Sequence, residues 1–592
     1  MVIHAEYLAR IRRRLTIARY PLWAFVILLT VRFWQLQIVR GEEFSSLARD
    51  NYLQTERRRA PRGLVVDRGG QVLARSEPSF TLLADSGGLR QLEELGLLAV
   101  EDADRAGLEA RAARGPAVVR SGIPFAEAAF FEARRRELPG VRVEFVPARD
   151  YPLGQATAHL LGYVGEVTAA QLLLEEFVAA ASEDLVGQDG IERVYNTTLV
   201  GSDGYLDQVV DSRQRVLVSG GLRRTEPVRG ETLQLNVLGG LQEAAHRAFG
   251  EHRGAFAALD VRTGEVLGLG SYPAENPEDF RGDAGRFREM LADSATPLLN
   301  RAVQGRYPPG SAFKLVTAAA GLAEGIVGPE TRITCNGRAR VAGRTFRCHR
   351  GEGHGAVTLR EAIAKSCNVF FYRLSEALDV DVIASYARAF GLGAPTGVDL
   401  RNESSGLIPT REWKRRVMGE RWYASETASV SVGQGAVSVT PIQMARLAAA
   451  VASGGNIPTP RLVGMEPGGQ VGGLLPEHFE AIREGMRDAV LSGTAWRARM
   501  PGVEVAAKTG TAQVASANLV APNNEDRPYE LRTHAWFVGF APFDDPQIAI
   551  AVVVEHGGAG GAAAAPIGGE ILRTYFEDAP ATRAVGGGGA DE

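Results

Sequence analysis

The sequence predicts an α+β fold with a single transmembrane helix, an elongated pedestal domain, and a larger domain whose central antiparallel sheet is flanked by helices. Three observations predict it. One apolar stretch near the N-terminus is bracketed by arginines and tryptophans. From about residue 230 a hairpin pattern is followed by long helical stretches and then by strand-like runs. Between these regions lie short Gly-bounded pieces with no such pattern. At 592 residues the chain is too long for one ordinary domain. Its 45% hydrophobic and 23% charged residues are a globular composition. A net charge of -4 gives no basic excess, which argues against a nucleic-acid partner.

The N-terminal element is the segment from Leu15 to Val39. Its uninterrupted apolar core, Tyr20 to Val31, has the length of a signal-peptide core or a buried helix as well as of a short span. The flanks favour a span. Arg19 and Arg32 can extend toward headgroups, and Trp23 and Trp34 suit the two interfaces. No small-x-small cleavage signal follows the core. An uncleaved signal anchor over residues 20–40 is expected, with residues 1–19 in the cytoplasm because Arg12, Arg13, Arg14 and Arg19 precede it. Arg57, Arg58 and Arg59 lie on the far side and weaken that asymmetry. The rest of the chain is then extracytoplasmic, on an inner-membrane, single-pass protein.

Residues 41–228 form the expected pedestal. Arg62 to Ala74 reads strand, turn, strand, with Gly69-Gly70 at the turn. Residues 86 to 140 read as helical, and no chemistry is visible before about residue 225. A structural or partner-binding role follows. Residues 229–576 form the larger domain. Leu241 to Phe249 is a short helix, and Ala255 to Val261 with Glu265 to Gly270 is a hairpin. Val503 to Ala507, His534 to Phe540 and Ile548 to Glu555 are late strands. Strands at both ends imply one sheet closed by the domain's own termini. Residues 577–592, with Gly586 to Gly589, read as a disordered tail.

Three short motifs in the larger domain carry chemistry. Pro308-Pro309-Gly310-Ser311-Ala312-Phe313-Lys314 precedes a helix-forming run, Leu315 to Ala323. Ser311 and Lys314 at i and i+3 share a helix face. A serine needs an adjacent base to attack, and a lysine serves if apolar surroundings keep it neutral. Taken alone this spacing is weak, since a helix cap with a solvated lysine produces it too. Lys365-Ser366-Cys367-Asn368 lies in the helix-like stretch Leu359 to Leu374. Ser366 can relay a proton and Asn368 can bond a substrate amide. Lys508-Thr509-Gly510-Thr511 follows the strand begun at Val503. There Gly510 lets a substrate lie close to the strand, Lys508 supplies charge, and the hydroxyls of Thr509 and Thr511 can hold a carboxylate.

In this order the three motifs resemble those of penicillin-binding proteins and class A β-lactamases. Arg62-Gly63 through Asp67-Arg68, Leu161 through Gly165, Gly187 through Glu192, Gly433-Gln434-Gly435 and Thr440 through Met444 resemble the class B, monofunctional penicillin-binding proteins. Gly353-His354-Gly355 and Pro409 through Trp413 resemble the cell-elongation group, penicillin-binding protein 2. The resemblance covers nearly the whole chain after the cytoplasmic tail. It implies a penicilloyl-serine transferase domain and a peptidoglycan D,D-transpeptidase. Ser311 would be acylated by a D-Ala-D-Ala stem peptide with Lys314 as base. Ser366 and Lys508 would join the proton and charge network, and Asn368 would position substrate. Thr509 and Thr511 would bind the terminal carboxylate, beside Gly510. Backbone N–H groups of Ser311 and Thr511 would form the oxyanion hole. An amine from a second stem would release the acyl group as a 4→3 cross-link, and β-lactams would trap the same serine. A SEDS-family (RodA-like) membrane glycosyltransferase and other elongation-complex proteins are the implied partners. Competing readings are a D,D-carboxypeptidase, a β-lactam-hydrolysing or sensing relative, and a largely regulatory partner of a glycosyltransferase. No Glu-x-x-Leu-Asn follows Asn368 to activate a deacylating water.

All three cysteines lie close together, with Cys335, Cys348, His354 and Cys367 spaced C-x12-C-x5-H-x12-C. Cys3His is a structural zinc set. An extracytoplasmic location favours a disulfide instead, Cys335–Cys348 with Cys367 left free, and three free thiols are the remaining reading. His349 competes with His354 as ligand. No cofactor is expected for catalysis, and a zinc here would be structural. Glu555-His556 and Asp544-Asp545 read as turns, and Arg411 to Arg416 as a solvated basic face.

Overall fold

A computed structural model describes residues 2–42, 44, 53–98, 102–113, 115–178, 180–181, 184–209, 223–280, 284–514, 524 and 526–583. Of the expected disordered tail, residues 577–583 instead continue the helix Ala564–Arg583, and residues 584–592, with Gly586–Gly589, lie outside the described residues. The chain divides into two compact units.

The first unit comprises residues 1–61 and 201–229. Helix α1 (Val2–Trp34) runs on into a π-helical turn, Gln35–Val39. Within it Ile11–Val39 has a mean hydropathy of 1.7 and is the one helix among the described residues long and apolar enough to cross a membrane. The expected span is thus the C-terminal part of a longer helix. Elsewhere in the unit, Leu53–Arg58 and Arg223–Thr225 pair antiparallel with Gly204–Val209 between them. Asp203 fastens one end of this ribbon, taking Arg57 Nε at 2.5 Å and the Ala60 N–H at 2.7 Å.

The second unit comprises residues 62–200 and 230–592. It opens with the expected strand–turn–strand, Val65–Val66 and Val72–Glu77. Asp67 Oδ1 accepts the N–H groups of Gly69 and Gln71, and Gly70 takes the positive φ of 88° that the turn requires. Residues 86 to 140 are not continuously helical. Ser86–Glu94, Asp102–Ala112 and Phe125–Ala133 are helices, but Ala117–Ile123 is a strand. It pairs with Phe80–Ala84, which also pairs with Val141–Phe145. Its partner lies more than 30 residues upstream, and it buries only its two ends, so no local alternation reveals it.

In the larger domain the helices that build the site are α2 (Gly239–Phe249), α3 (Lys314–Ala323), α4 (Leu359–Ala364), α5 (Asn368–Leu374), α6 (Arg411–Met418), α7 (Pro441–Ala452), α8 (Pro476–Leu491) and α9 (Ala564–Arg583). The strands of its sheet are β1 (Gly254–Asp260), β2 (Val266–Tyr272), β3 (Ala506–Ala512), β4 (His534–Ala541) and β5 (Ile548–Val554), in the order β2-β1-β5-β4-β3, all antiparallel. The early hairpin and the late strands therefore share one sheet, as expected. Side chains alternate between two cores. Ala255, Ala257, Leu259, Trp536, Val538, Ala551 and Val553 face the core that contains α7. Phe256, Ala258, Phe537, Ile550 and Val552 face the core under α2 and α9. With both faces covered, β5 reads Ile-Ala-Ile-Ala-Val-Val-Val without a polar residue, as a central strand should. Strand β3 starts at Ala506, later than Val503, because Met500 and Val503 close a separate turn.

A buried ionic cluster braces the pedestal. Glu192 accepts from Arg62 Nε at 3.0 Å and from Arg149 Nε at 2.6 Å. Arg62 also donates to Asn196 Oδ1 and Arg149 to the Gly63 carbonyl. Tyr195 ties this region to the larger domain by donating to Asp399, which in turn accepts the N–H groups of Leu462 and Val463.

Candidate active site

Ser311 does not open an α-helix directly. Gly310–Phe313 is a 3-10 turn, and α3 begins at Lys314. Ser311 is half-buried and its Oγ makes no hydrogen bond among the described residues, so it stands free for a ligand. Lys314 is fully buried and reaches across to the second motif. Its Nζ donates to the Ser366 carbonyl at 2.8 Å, to Ser366 Oγ at 3.2 Å and to Asn368 Oδ1 at 2.7 Å. Burial pushes this amine down to about 7, against the opposing influence of Cys367 and Cys348.

The second motif occupies a break in the expected helix, between α4 and α5. Thr358 caps α4 in a reciprocal arrangement with Glu361. At its C-terminal end Ser366 adopts φ 53°, a left-handed conformation that a glycine would take more cheaply. That bend returns the Ser366 hydroxyl and carbonyl to Lys314 and lets Asn368 begin α5.

The third motif lies on β3, the edge strand of the sheet. Lys508 is fully buried, donates to the Thr509 carbonyl at 2.8 Å, and is held well below its usual range by burial and then by the charge of Lys314. A Cβ at Gly510 would stand 2.8 Å from the Pro309 carbonyl, so the glycine lets β3 and the Ser311 turn approach closely. Gln434 Nε2 donates to the Thr511 carbonyl at 3.3 Å. Thr509 Oγ1 donates to Thr494 Oγ1 at 2.6 Å.

The structure thus brings the three motifs together: Ser311 and Lys314, Ser366 and Asn368, and Lys508, Thr509, Gly510 and Thr511. A buried amine of lowered basicity three residues from a serine hydroxyl without a partner of its own among the described residues, with a second hydroxyl and a strand edge close by, can support nucleophilic acyl transfer.

The cysteine cluster sits directly behind Asn368. Ile333–Cys335 pairs with Gly355–Val357, and a second hairpin, Arg338–Val341 with Arg344–Arg347, leads to Cys348. Cys348 N donates to the Gly337 carbonyl and His354 N to the Cys335 carbonyl. The side-chain donor atoms of Cys335, Cys348, His354 and Cys367 all lie within 4.8 Å of one another. His354 Nδ1 is 3.6 Å from Cys335 Sγ and 3.5 Å from Cys348 Sγ. A tetrahedral zinc sets sulfur and nitrogen ligands about 3.5–3.8 Å apart, so the two histidine–cysteine separations match the ion, while the full set spreads to within 4.8 Å. The three cysteines are buried and unbridged. His349 lies outside the set, 3.9 Å from Cys348 alone. Asn368 Nδ2 donates to the Arg347 carbonyl, next to Cys348, and Cys367 caps α5.

Two groups escaped the sequence reading. Glu555 is more than a turn residue. Its Oε1 accepts from Tyr307 at 2.6 Å and Arg301 at 2.9 Å, two elements that lead into Pro308 and Ser311. Burial would raise its carboxyl, but Arg301 and the Tyr307 hydrogen bond prevail and hold it low. Trp536 Nε1 donates to the Pro308 carbonyl at 2.9 Å. These partners are more than 200 residues apart, and only an acid placed at the end of an apolar strand hints at them. The Arg411–Arg416 stretch is solvated in part, but Lys414 is buried and paired with Glu426 at 2.6 Å.

Comparison with known proteins agrees with the geometry. Residues 254–573 match the penicillin-binding protein transpeptidase domain, and residues 57–235 the penicillin-binding protein dimerisation domain. The peptidoglycan D,D-transpeptidase MrdA of Acinetobacter baumannii is 37% identical over 91% of this chain and 84% of its own length. The solved complex of penicillin-binding protein PBP2 with MreC from Helicobacter pylori superposes with a TM-score of 0.75 at 28% identity, covering 89% of this chain and 99% of that one. A solved peptidoglycan synthase complex that couples polymerization and crosslinking matches with a TM-score of 0.72 at 32% identity, over 95% and 98% of the two chains. The chain belongs to the penicillin-binding protein family, in its penicillin-binding protein 2 group.

Proposed function

We propose that Ser311 is the acylated nucleophile of this chain, which is a peptidoglycan D,D-transpeptidase of the cell-elongation type. The observation that carries the assignment is the fully buried Lys314, which has no acidic partner among the described residues, one residue past the turn that presents Ser311. Neutral Lys314 takes the Ser311 proton as Oγ attacks the penultimate D-Ala carbonyl carbon. The backbone N–H groups of Ser311 and Thr511 hold the developing oxyanion. The peptide C–N bond then breaks, the proton passes by way of Ser366 to the leaving D-Ala amine, and an ester remains on Ser311. An acceptor amine attacks that ester, forms the cross-linking amide and restores the serine. Asn368 aligns the donor stem, Lys508 joins the proton network, and Thr509 and Thr511 bind the terminal carboxylate while Gly510 leaves room for it. Ser311→Ala should eliminate covalent labelling by a fluorescent penicillin. Labelling that persists, or maps to another peptide, rejects the assignment.

We assign a structural zinc to Cys335, Cys348, His354 and Cys367. Four protein ligands leave no open position, so the ion would brace the backbone on both sides of Asn368 and take no part in the reaction. Elemental analysis should find one zinc per chain. Its absence together with a Cys335–Cys348 bridge in the mass spectrum rejects this reading.

We further assign α1 as an uncleaved anchor with its N-terminus in the cytoplasm, on the strength of the arginines that precede its apolar core. Protease protection of an N-terminal tag in sealed vesicles tests the orientation. A SEDS-type glycosyltransferase in the membrane and a second elongation-complex protein are the partners this reading requires. An apolar groove of about 540 Å³, lined by Phe80, Phe125, Val143 and Phe145, supports a protein contact on the pedestal, where Phe125 is 75% exposed. Phe125→Ser should weaken capture of an MreC-type partner and leave penicillin labelling intact. Unchanged capture removes the groove from the proposal.

A further inference from the structure

The loop after α8, Ser492-Gly493-Thr494, lies between two of the three motifs. Thr494 N donates to the Ala364 carbonyl at 3.4 Å, at the C-terminal end of α4 and two residues before Ser366. On its other side, Thr494 Oγ1 receives the Thr509 hydroxyl at 2.6 Å on β3. The fit is close. A Cβ at Gly493 would stand 2.4 Å from the Ala364 carbonyl, and one at Gly561 would stand 2.3 Å from the Thr494 carbonyl. Both positions exclude any side chain, so the loop is wedged against α4 from one direction and held from the other. The Thr494 hydroxyl therefore has a fixed place beside Thr509.

A hydroxyl carries one donor and two acceptor lone pairs. With the cleft empty, Thr509 donates to Thr494. When an anion enters, Thr509 turns its proton to the anion and accepts one from Thr494. A chain of two hydroxyls polarises in that direction, which strengthens the outer hydrogen bond. We infer that Thr494 is a positioning residue for recognition of the substrate's terminal carboxylate, acting through Thr509. The inference rests on the assignment of Thr509 to that carboxylate. It gives the motif-three threonine a partner that a valine in the same place would deny it.

The test uses the full-length chain in detergent micelles and two probes, benzylpenicillin and its methyl ester, which lacks the anion. Second-order acylation is read by competition with a fluorescent penicillin. Thr494→Val should slow acylation by the acid about tenfold, through weaker binding before acylation, while the ester changes by less than about twofold. Thr494→Ser should restore the acid rate. Equal losses with acid and ester, no loss with either, or failure of Thr494→Ser to restore the rate would overturn the inference. Thr509→Val separates the two readings. If it leaves the acid–ester difference intact, the carboxylate assignment of Thr509 fails and the role of Thr494 falls with it. If it removes the difference while Thr494→Val does not, only the role of Thr494 fails.

Discussion

Two buried clusters of charge-bearing groups lie in the same unit and are built on opposite principles. In the pedestal, Glu192 has no exposed surface and sits between two guanidinium groups, which also reach Asn196 and a backbone carbonyl. In the cleft, Lys314 and Lys508 are equally buried, and neither has a carboxylate partner among the described residues. A buried charge with partners keeps its charge and fixes geometry. A buried amine without a counter-ion holds its proton less tightly. The first arrangement fixes geometry, and the second suits Lys314 to the part of base proposed for it. The difference shows that burial alone does not mark a catalytic group; burial without an opposite charge does.

The comparison can be broken most directly at Lys314. Lys314→Arg supplies a cation of similar reach that cannot become neutral, so penicillin acylation should fall about 10²–10⁴-fold, as for loss of a general base. Retention of activity within tenfold would mean that charge, not basicity, is what the site needs. Glu192→Ala in the pedestal should act the other way. It strands two buried guanidinium groups and should cost about 3–5 kcal/mol of stability, read by denaturant unfolding, while the folded protein still acylates at the normal rate. A stability loss near zero would show that water reaches the cluster. The pH profile sharpens the contrast. Protonation of Lys314 below about pH 7 removes the base, so acylation should drop roughly tenfold per pH unit below that point and level off above it. A flat profile from acid to alkaline pH would contradict a neutral lysine base. The smallest effect belongs to the exposed pair Arg262–Asp545, whose side chains are 62% and 69% accessible. Asp545→Asn should leave the melting temperature and acylation unchanged, because solvent screens the pair.

Much of the site was legible because its motifs are local. Ser311 with Lys314, Ser366 with Asn368, and Lys508 through Thr511 each occupy one turn or one strand, so spacing alone groups them. The two ends of the sheet were legible for the same reason, as β1 and β2 form a hairpin and β4 and β5 are uninterrupted apolar runs. What escaped depends on distant partners. The strand Ala117–Ile123 takes its identity from Phe80–Ala84, and Glu555 takes its role from Arg301 and Tyr307. The break between α4 and α5 was also hidden, since Ser366 accepts a left-handed backbone that its residue type does not announce. Cys335, Cys348 and His354 were visible as a spacing, but their convergence on Cys367 depends on the pair of hairpins between them.

The connectivity of the sheet has a kinetic consequence. Strand β1 is hydrogen-bonded on one side to β2, its immediate successor, and on the other to β5, with Gly254 opposite Val554. The Ser311 turn and the second motif emerge during synthesis long before β3, β4 and β5 exist to receive them. Contacts of such high sequence separation close late, after a large loss of chain entropy. A nascent or truncated chain thus presents Ser311 without the strand edge that completes its cleft. The strand edge is complete only when the last strand docks at the centre of the sheet, so a chain cut before Val554 is expected to be inert rather than partly active.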